Sequence, residues 1–430
     1  MLSADDNRAL TQTGRGTPMG EYFRRFWQPV ALSEELAAPD SPPVRVTVMG
    51  EDLIAFRDSA GAVGLVDPRC PHRGADLFFG RNEECGIRCA YHGWKFDVTG
   101  RCVDLPNATP SAAFLNTVKI TAYPTREFGD IVWAYLGPGA PPEIHALEFG
   151  LVPPASRYVM KKLQYCNWAQ SIEGGLDASH FSFLHMPAPS LASDANPNSP
   201  AGEQRLRWIR EDPQPAFSFL DHEVGFVYGA ARRAAPGQLY WRTAQFMVPN
   251  HATTPSTQPG ETYYGYTFVP IRDDACWIYT YAWNPERPID PEERAKFPRG
   301  YNVIPEVDAR YVPLRNRDNG YLQDRDEQKH RTFTGVRGIA EQDAMAQEGQ
   351  GGGIADRTRE HLTAGDAAIV RFRRVVLQGA KALAVGVEPP AASDAAAYTR
   401  RSGSAVERDD IPFEEMMVKR FGDTSGRVQT

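Results

Sequence analysis

The chain has 430 residues, of which 42% are hydrophobic and 23% charged, and its formal net charge is −7. One hydrophobic core rarely grows beyond about 250 to 300 residues, so this length predicts more than one domain. The slight acidic excess argues against a general affinity for nucleic acid or for anionic membranes. The first residues lack the pattern of a secretory signal, and no stretch approaches the roughly 20 apolar residues of a membrane-spanning helix. We therefore expect a cytoplasmic protein.

The first 140 residues predict an N-terminal arm followed by a small β domain. The arm, residues 1–40, carries a short apolar and aromatic stretch, which we expect to pack on the second half of the chain. After a proline-rich segment, Val44, Val46 and Val48 alternate with polar residues, as in a half-buried strand. Short apolar runs between glycine turns continue to residue 135. Residues 41–140 therefore predict an antiparallel β domain.

The remaining residues, 141–430, predict a domain of mixed sheet and helix, which makes the overall fold class α+β. A proline- and glycine-rich stretch marks the boundary near residue 140. Strand-like runs rich in aromatic and β-branched residues follow at 262–269 and 277–281. Near the C-terminus, Thr363 offers a helix start ahead of apolar residues at helical spacing. Residues 187–201 are rich in Pro, Ala, Ser and Asn and predict a long loop.

Six cysteines are too few for a disulfide scaffold of this size, and a reducing cytoplasm would keep them as thiols or metal ligands. Four of the six lie within 33 residues. Among these four, Cys85 and Cys102 stand apart from any histidine pattern, and we expect them to be buried structural thiols. The other two belong to a C-x-H-x16-C-x2-H motif formed by Cys70, His72, Cys89 and His92.

Two thiolates and two imidazoles suit two kinds of metal centre. They can bind one tetrahedral zinc ion, but zinc sites usually pair C-x2-C with H-x3-H or with a second C-x2-C. One Cys–His pair in each of two loops is what a Rieske [2Fe-2S] cluster uses, with the cysteines on one iron and the histidines on the other. Gly74 and Gly93 follow the two pairs and allow tight turns around the sulfurs. The spacing therefore favours the Rieske cluster, with zinc as the alternative.

A second group of metal-ligand residues has the pattern E-x3-D-x2-H-x4-H, formed by Glu173, Asp177, His180 and His185. On a helix, Asp177 and His180 share one face, whereas His185 diverges from His180 by about 140°. For both imidazoles to bind one metal, the helix must end, kink or bulge between them. Two histidines and one carboxylate form the facial triad of non-heme Fe(II) oxygenases. A polar helix face with two ordinary histidines is the alternative, but the Rieske-type motif in the same chain favours the iron.

On these residues the chain resembles the Rieske non-heme iron oxygenases, and within them the phthalate dioxygenase-like oxygenase components. The resemblance implies an N-terminal Rieske domain and a C-terminal catalytic domain built on a curved antiparallel sheet flanked by helices. It also implies a head-to-tail homotrimer or a multiple of it. It extends over nearly the whole length, and its clearest stretches are residues 16–20, 69–97, 166–185, 338–343 and 354–357.

The resemblance supplies a third iron ligand, which spacing alone does not give. It implies Asp343 as that ligand beside the two histidines. Asp356 is the competing carboxylate, and its neighbours Arg357 and Arg359 make it more typical of an ion pair at a helix start. The resemblance further implies that Asn167 lies near the iron.

The resemblance also implies a route for electrons between subunits. The carboxylate of Asp177 would link His180 to the cluster ligand His92 of a neighbouring subunit. Glu173, four residues before Asp177, would then be a supporting or structural carboxylate.

The implied activity is cis-dihydroxylation of an aromatic carboxylate, phthalate- or benzoate-like, with O2 and electrons from NAD(P)H. The chain has no G-x-G-x-x-G after a predicted strand and no flavin-site pattern, so a separate flavin and iron–sulfur reductase must deliver the electrons. An acidic substrate needs a cationic partner, for which arginine is well shaped. Arg207 and Arg242 stand in aromatic settings after the iron motif, and a surface or structural role is open for both.

Two other classes of function stay open. A Rieske monooxygenase or O-demethylase acting on an aromatic acid would contain the same metals. A non-catalytic Rieske or zinc protein, made for electron transfer or binding, would contain the first motif without oxygen chemistry. Metal content separates the last class from the others, because an oxygenase requires about three iron atoms per chain, two in the cluster and one mononuclear.

Overall fold

The computed structural model describes residues 1–187, 200–254 and 260–428. Two short helices open the chain, and each begins behind a hydroxyl side chain that accepts a hydrogen bond from a backbone N–H of the first turn. Ser3 does so for α1 (Ala4–Thr11), and Thr17 does so for α2 (Pro18–Phe23).

The strands that follow, up to residue 135, form three antiparallel sheets, which confirms the predicted β domain. In chain order they are β1 (Trp27–Leu32), β2 (Val44–Val48), β3 (Glu51–Arg57), β4 (Val63–Val66), β5 (Arg81–Glu83), β6 (Gly86–Arg88), β7 (Lys95–Phe96), β8 (Cys102–Asp104), β9 (Ala122–Tyr123), β10 (Thr125–Phe128) and β11 (Ile131–Tyr135). The sheet orders are β1-β11-β10, β2-β3-β4-β9 and β5-β6-β7-β8. A short helix, α3 (Ala112–Thr117), lies between β8 and β9.

The strand β1 comes from the predicted N-terminal arm but completes a sheet of the β domain. It pairs with β11 from Trp27 opposite Tyr135 to Leu32 opposite Ile131. All six residues of β1 are buried, as are all five of β11. The arm is therefore joined by backbone hydrogen bonds to the β domain, and the domain limits at residues 40 and 140 stay a prediction.

The second half of the chain is built on one large antiparallel sheet. Its helices and strands, in chain order, are α4 (Glu148–Leu151), β12 (Arg157–Gln164), α5 (Trp168–Leu176), α6 (Pro200–Glu211), β13 (Ala216–His222), β14 (Gly225–Ala235), β15 (Gln238–Met247), β16 (His251–Thr253), β17 (Tyr263–Arg272), β18 (Ala275–Trp283), α7 (Pro291–Arg294), α8 (Arg325–His330), α9 (Ile339–Glu348), α10 (Ala367–Ala384), β19 (Ser404–Arg408) and α11 (Phe413–Phe421). The sheet runs β12-β18-β17-β16-β15-β14-β13, and β19 pairs with one end of β15. The predicted α+β fold class is thus confirmed.

The long helix α10 follows the apolar spacing that was predicted near the C-terminus. Its buried side chains include Ile369, Phe372, Val376 and Leu383, which lie three to seven residues apart along one face. Thr363 caps a short 3-10 turn (Ala364–Asp366), and the last residue of that turn, Asp366, is the N-cap of α10. No helix in the described part of the chain is long and apolar enough to cross a membrane.

Most of the loop predicted for residues 187–201, namely 188–199, lies outside the described residues. The predicted end of this loop, residue 201, was wrong, because helix α6 already begins at Pro200.

Two helices on the large sheet, α5 and α9, position the second candidate centre. They are tied together by buried glutamine side chains. The Nε2 of Gln170, on α5, donates to the backbone oxygen of Gln347 at 3.1 Å, and the Nε2 of Gln164, on β12, donates to Oε1 of Gln347 at 2.5 Å. Residues far apart in the sequence therefore meet between these helices.

Candidate metal centres

The first candidate centre stands on two loops with the same backbone pattern. In each loop, the N–H of the cysteine donates to the carbonyl five residues later, and the glycine four residues later donates back to the cysteine carbonyl. The glycines, Gly74 and Gly93, have φ angles of +73° and +77°, which favour a residue without a side chain. A Cβ at Gly93 would lie 2.7 Å from Pro106. Each loop is thus held tightly around Cys70 or Cys89.

The four predicted ligands of this centre meet between the loops. Cys70 and Cys89 are buried and their thiols interact, while the rings of His72 and His92 lie 4.5 Å apart. The ring of His72 stacks on Trp94 at 4.5 Å, and its Nδ1 is buried without a hydrogen-bond partner among the described residues. A buried nitrogen without a partner is unfavourable unless a ligand binds it, which fits coordination to iron.

The distances favour two irons over one zinc ion. Within residues 1–187, 200–254 and 260–428, the four ligand atoms of this centre do not form a group in which all lie within 4.8 Å of one another. This is expected when cysteines and histidines bind different irons, and not when all four bind one ion. Burial raises the pKa of Cys70 to about 11, with a further contribution from Cys89, so a bound metal must displace a proton from this thiol.

One of the two other cysteines in this region does not behave as expected. Cys102 is buried, as predicted. Cys85 is exposed, because it lies in the tight turn between β5 and β6, where its own φ is +59°. The prediction of a buried thiol was therefore wrong for Cys85.

The second candidate centre begins where α5 ends. The helix stops at Leu176, and Asp177 caps it. The carboxylate of Asp177 accepts from the N–H of Ser179 at 2.6 Å and from that of His180 at 3.3 Å, which favours a turn over another helical turn. His180 then opens a 3-10 turn. The helix thus ends before His180, not between the two histidines, and Asp177 and His180 do not share a helix face.

This turn brings both histidines to one point, where Asp343 of α9 joins them. The Nε2 atoms of His180 and His185 are 3.0 Å apart. Oδ1 of Asp343 lies 3.2 Å from Nε2 of His185 and 3.7 Å from Nε2 of His180. Among the described residues, these three form the one group of such side chains whose ligand atoms lie within 4.8 Å. Two nitrogens and one oxygen at these separations fit a facial triad for iron.

Comparisons with known proteins agree with both centres. A Rieske [2Fe-2S] domain matches residues 26–124, and a domain described as LigXa C-terminal domain like matches residues 134–403. The phthalate 4,5-dioxygenase oxygenase subunit of Pseudomonas putida is 38% identical, over 97% of this chain and 95% of that subunit. This chain belongs to the Rieske non-heme iron oxygenases. Within that family it is a phthalate dioxygenase-like oxygenase component, whose cofactors are a Rieske [2Fe-2S] cluster and a mononuclear iron.

Two further relatives of this oxygenase differ in the reactions that their names describe. The 3-chlorobenzoate-3,4-dioxygenase oxygenase subunit of Comamonas testosteroni is 35% identical, over 98% of this chain and 99% of that subunit. The 5,5'-dehydrodivanillate O-demethylase oxygenase subunit of Sphingobium sp. (strain NBRC 103272 / SYK-6) is 31% identical, over 91% of this chain and 83% of that subunit.

The electrostatics of the oxygenase's iron site favour a bound cation. Burial alone would raise the pKa of Asp343, but the two imidazoles hold that pKa below its ordinary value. Burial alone would lower the pKa of His180, yet the nearby Asp177 carboxylate and the charge of Asp343 raise it. Two partly buried carboxylates therefore make this pocket attractive to positive charge.

Asn167, which was expected near the iron, has other contacts in the structure. It caps the N-terminus of α5, where its Oδ1 accepts from the N–H of Ala169 at 3.0 Å. Its Nδ2 donates to the backbone oxygens of Thr11 and Asp273 at 2.9 and 2.6 Å. These contacts fix the start of α5 against α1 and against the turn between β17 and β18. None of its described contacts is with the three iron ligands.

Arg242 and Arg207, the two candidate substrate residues, lie in different surroundings. Arg242, on β15, is only 3% exposed, and its Cζ lies 3.8 Å from the ring centroid of Phe181. Phe181 in turn packs against both iron-site histidines, with ring centroids 4.7 and 4.8 Å away. The side chain of Arg207 is 67% exposed and pairs with Glu211 on α6 at 2.7 Å. The structure thus brings Arg242 to the iron site and places Arg207 on the surface.

Two carboxylates near the iron motif have structural contacts. Glu173 is buried between Arg357 and Arg373, with contacts of 2.9 and 2.7 Å, and these arginines lower its pKa although burial alone would raise it. Arg357 therefore pairs with Glu173, and its predicted pairing with Asp356 was wrong. Hydrogen bonds from Thr358 lower the pKa of Asp356, and the charge of Arg359, the other predicted neighbour, lowers it further. The Asp356 carboxylate instead accepts from the N–H and the hydroxyl of Thr358 in an exposed turn, where no helix begins.

Sequence reasoning missed two neighbours of the iron ligands, Phe181 and Gln342. Nδ1 of His185 lies 2.7 Å from Oε1 of Gln342, which is only 7% exposed. The one signal in the sequence was position, because Phe181 follows one ligand and Gln342 precedes another. Neither position shows which way the side chain points.

Proposed function

We propose that this oxygenase cis-dihydroxylates an aromatic carboxylate, phthalate- or benzoate-like, with O2 and with electrons from a separate NAD(P)H-dependent flavin and iron–sulfur reductase. The observation that carries the substrate class is the buried guanidinium of Arg242 beside the iron site. The names of two relatives, a phthalate dioxygenase and a chlorobenzoate dioxygenase, support the same class.

Arg242 is a buried cation without a paired anion among the described residues. Its Nε and Nη1 are buried and have no hydrogen-bond partner among the described residues, and no carboxylate of that part of the chain pairs with it. Burial lowers its pKa, so the charged form is disfavoured without an anion. A substrate carboxylate would supply the missing charge and accept both hydrogen bonds. It would then lie beside Phe181, the ring that packs on the iron ligands.

Both metal sites fit their cofactors. The buried, unpartnered Nδ1 of His72 supports the cluster site, and the three close ligand atoms of His180, His185 and Asp343 support the iron site. When bound, the cluster supplies electrons one at a time and the mononuclear iron supplies the site at which O2 reacts. The reaction adds both oxygen atoms of O2, two electrons and two protons to the aromatic ring.

We further propose that Asp177 connects the two centres across a subunit boundary, in a homotrimer or a multiple of it. One oxygen of its carboxylate is held by backbone N–H groups, and the other lies 3.6 Å from Nδ1 of His180. The side chain is 24% exposed in the single chain, which leaves it accessible to another subunit. His92 is partly exposed beside the exposed Tyr91 and would be the group that it meets.

The proposal also divides the chain by role and compartment. Residues 41–140 would store electrons, residues 141–430 would carry out oxygen chemistry, and residues 1–40 would pack on the catalytic domain. We place the enzyme in the cytoplasm, where its reductase has access to NAD(P)H and the cysteines stay reduced.

The substrate class can be tested with Arg242→Met and a matched surface variant. Arg233→Met is the control, because Arg233 lies on the neighbouring strand β14 but is exposed. The assay uses a reconstituted reductase and a panel of benzoates and phthalates. In it, kcat/KM of R242M should fall about 10- to 100-fold, which corresponds to the free energy of a pair of charge-assisted hydrogen bonds. R233M should match the wild type, and benzamide analogues should discriminate less between the proteins. Equal kcat/KM of R242M and wild type for carboxylates would contradict the substrate class.

A second candidate function, O-demethylation of an aromatic acid, is favoured by the relative named as an O-demethylase. Labelled O2 separates the two reactions. Dihydroxylation places both labelled atoms in one cis-dihydrodiol, whereas demethylation places one in formaldehyde and one in water. A non-catalytic Rieske or zinc protein would contain fewer than about three irons per chain.

A further inference from the structure

We infer that Gln342 is a positioning residue for the mononuclear iron, because its side-chain amide fixes the tautomer and the ring orientation of His185. This inference concerns the iron site and does not depend on the substrate. Gln342 and Asp343 are adjacent on α9, and their side chains approach the same imidazole from its two nitrogens. Asp343 would bind the metal, and Gln342 would hold the His185 ring by its other nitrogen, Nδ1.

The orientation of the Gln342 amide follows from its second partner. Its Nε2 donates to the backbone oxygen of Val336 at 2.8 Å, and a carbonyl oxygen can only accept. The amide nitrogen must therefore face Val336, which leaves Oε1 to face Nδ1 of His185 at 2.7 Å. Because Oε1 can only accept, Nδ1 must carry the proton.

The consequence lies on the other side of the ring. In a neutral imidazole with a proton on Nδ1, the lone pair is on Nε2. This Nε2 lies 3.0 Å from Nε2 of His180 and 3.2 Å from Oδ1 of Asp343, where a metal would bind. Gln342 thus holds His185 in its metal-binding form before the metal arrives.

The arrangement is protected from water and from backbone movement. Val336 is fully buried, and only 7% of Gln342 is exposed, so water competes little for these hydrogen bonds. The backbone N–H of Gln342 donates to Gly338, whose φ of +92° starts α9. A Cβ at Gly338 would also meet the Glu341 carboxylate. Because of its positive φ, the turn that directs Gln342 towards His185 favours glycine.

The other histidine is held less firmly in the single chain. Nδ1 of His180 lies 3.6 Å from Oδ2 of Asp177, beyond the range of a normal hydrogen bond. His185 therefore supplies the fixed part of the site, and loss of its support should weaken metal binding.

The test measures metal affinity in protein that keeps its cluster but lacks the mononuclear metal. Gln342→Met keeps the length and removes the acceptor, whereas Gln342→Glu keeps an acceptor for Nδ1. Gln28→Met is the control for loss of a buried amide, because Gln28 is fully buried on β1 and its Oε1 accepts from Asn250, not from His185. Titration with Fe(II), and with Co(II) for its electronic spectrum, reports affinity and ligand geometry without catalysis. The visible absorption of the cluster reports whether each variant is folded.

We expect Q342M to bind both ions about 10- to 100-fold more weakly and to alter the Co(II) spectrum. Q342E should bind more tightly than Q342M, and Q28M should keep the wild-type affinity and spectrum. Wild-type affinity in Q342M would overturn the inference. An equal loss in Q28M, or a Q342E variant that binds no better than Q342M, would also overturn it, since either result would point to packing alone.

Discussion

The two metal centres of this oxygenase use the same number of histidines but are built in opposite ways. The proposed cluster ligands lie on two loops with one shared backbone pattern, close together in the sequence and closed by local hydrogen bonds. The proposed iron ligands come from the turn after α5 and from the distant helix α9, which meet only because buried side chains hold the helices together. The cluster site is therefore a local structure, whereas the iron site depends on tertiary packing.

The centres also differ in exposure. His92, at the cluster, is partly exposed and has an exposed tyrosine beside it, whereas His185 is almost fully buried. An exposed ligand suits electron exchange with another molecule, and a buried one suits oxygen chemistry away from water. Changes in the packing of α5 and α9 should thus affect the iron and leave the cluster intact.

The largest expected effect is loss of the mononuclear iron while the cluster is retained. Asp343→Ala should lower iron from about three to about two atoms per chain and abolish oxygenation, because two imidazoles remain without a carboxylate. The visible spectrum of the cluster should not change. Asp356→Ala is the control and should keep all the iron, since that carboxylate contacts only its own turn. Loss of the cluster in D343A would mean that the two sites are not independent.

The next effect concerns the packing that positions α5. Glu173→Gln leaves two buried arginines without their shared carboxylate and should lower the free energy of unfolding by about 3 to 5 kcal/mol. The iron should be lost at lower denaturant concentration than the cluster. Glu211→Gln, which breaks an exposed pair with Arg207, should leave the free energy of unfolding nearly unchanged. Equal effects of the two variants in denaturant titrations would contradict the structural role of Glu173.

Acid should weaken the same network. The arginines hold the pKa of Glu173 below its ordinary value of 4.5, so its contribution to stability is complete above pH 4.5. That contribution should be lost as the pH falls through the lower pKa of the folded state. The free energy of unfolding, measured between pH 6 and pH 3, should therefore fall more steeply for the wild type than for E173Q. Parallel curves would exclude Glu173 as a source of the acid sensitivity.

A smaller effect distinguishes the cysteines of the cluster region. In protein without a cluster, iodoacetamide at pH 7 should modify the exposed Cys85 before Cys70, because burial keeps Cys70 protonated with a pKa of about 11. Peptide mass spectrometry after short exposure would show the order. Faster modification of Cys70 would mean that the loops open when the cluster is absent.

The sequence predicted the local structure of the cluster region but not that of the iron site. The spacing of Cys70, His72, Cys89 and His92 indicated one Cys–His pair in each of two loops, and the structure has two such loops. Strand alternation and the apolar face of α10 were also predicted correctly, since both repeat at a fixed period.

Contacts between distant residues could not be predicted from spacing. The end of α5 depends on the Asp177 carboxylate, which bonds the next two N–H groups that it can reach. Arg207 and Arg242 look alike in the sequence, and only the fold buries one and exposes the other. The pairing of Gln342 with His185 likewise required the return of α9 to the sheet.

The most direct test of the account is electron transfer in Asp177→Asn. The variant keeps the size of the side chain and all the metal ligands, so it should contain about three irons per chain and fold as the wild type does. After the cluster is reduced and mixed with substrate and O2, rapid-mixing absorbance should show cluster oxidation at least about 100-fold slower than in the wild type, because the charged link to His180 is lost. Wild-type rates of cluster oxidation and product formation in D177N would contradict the coupling of the two centres through Asp177.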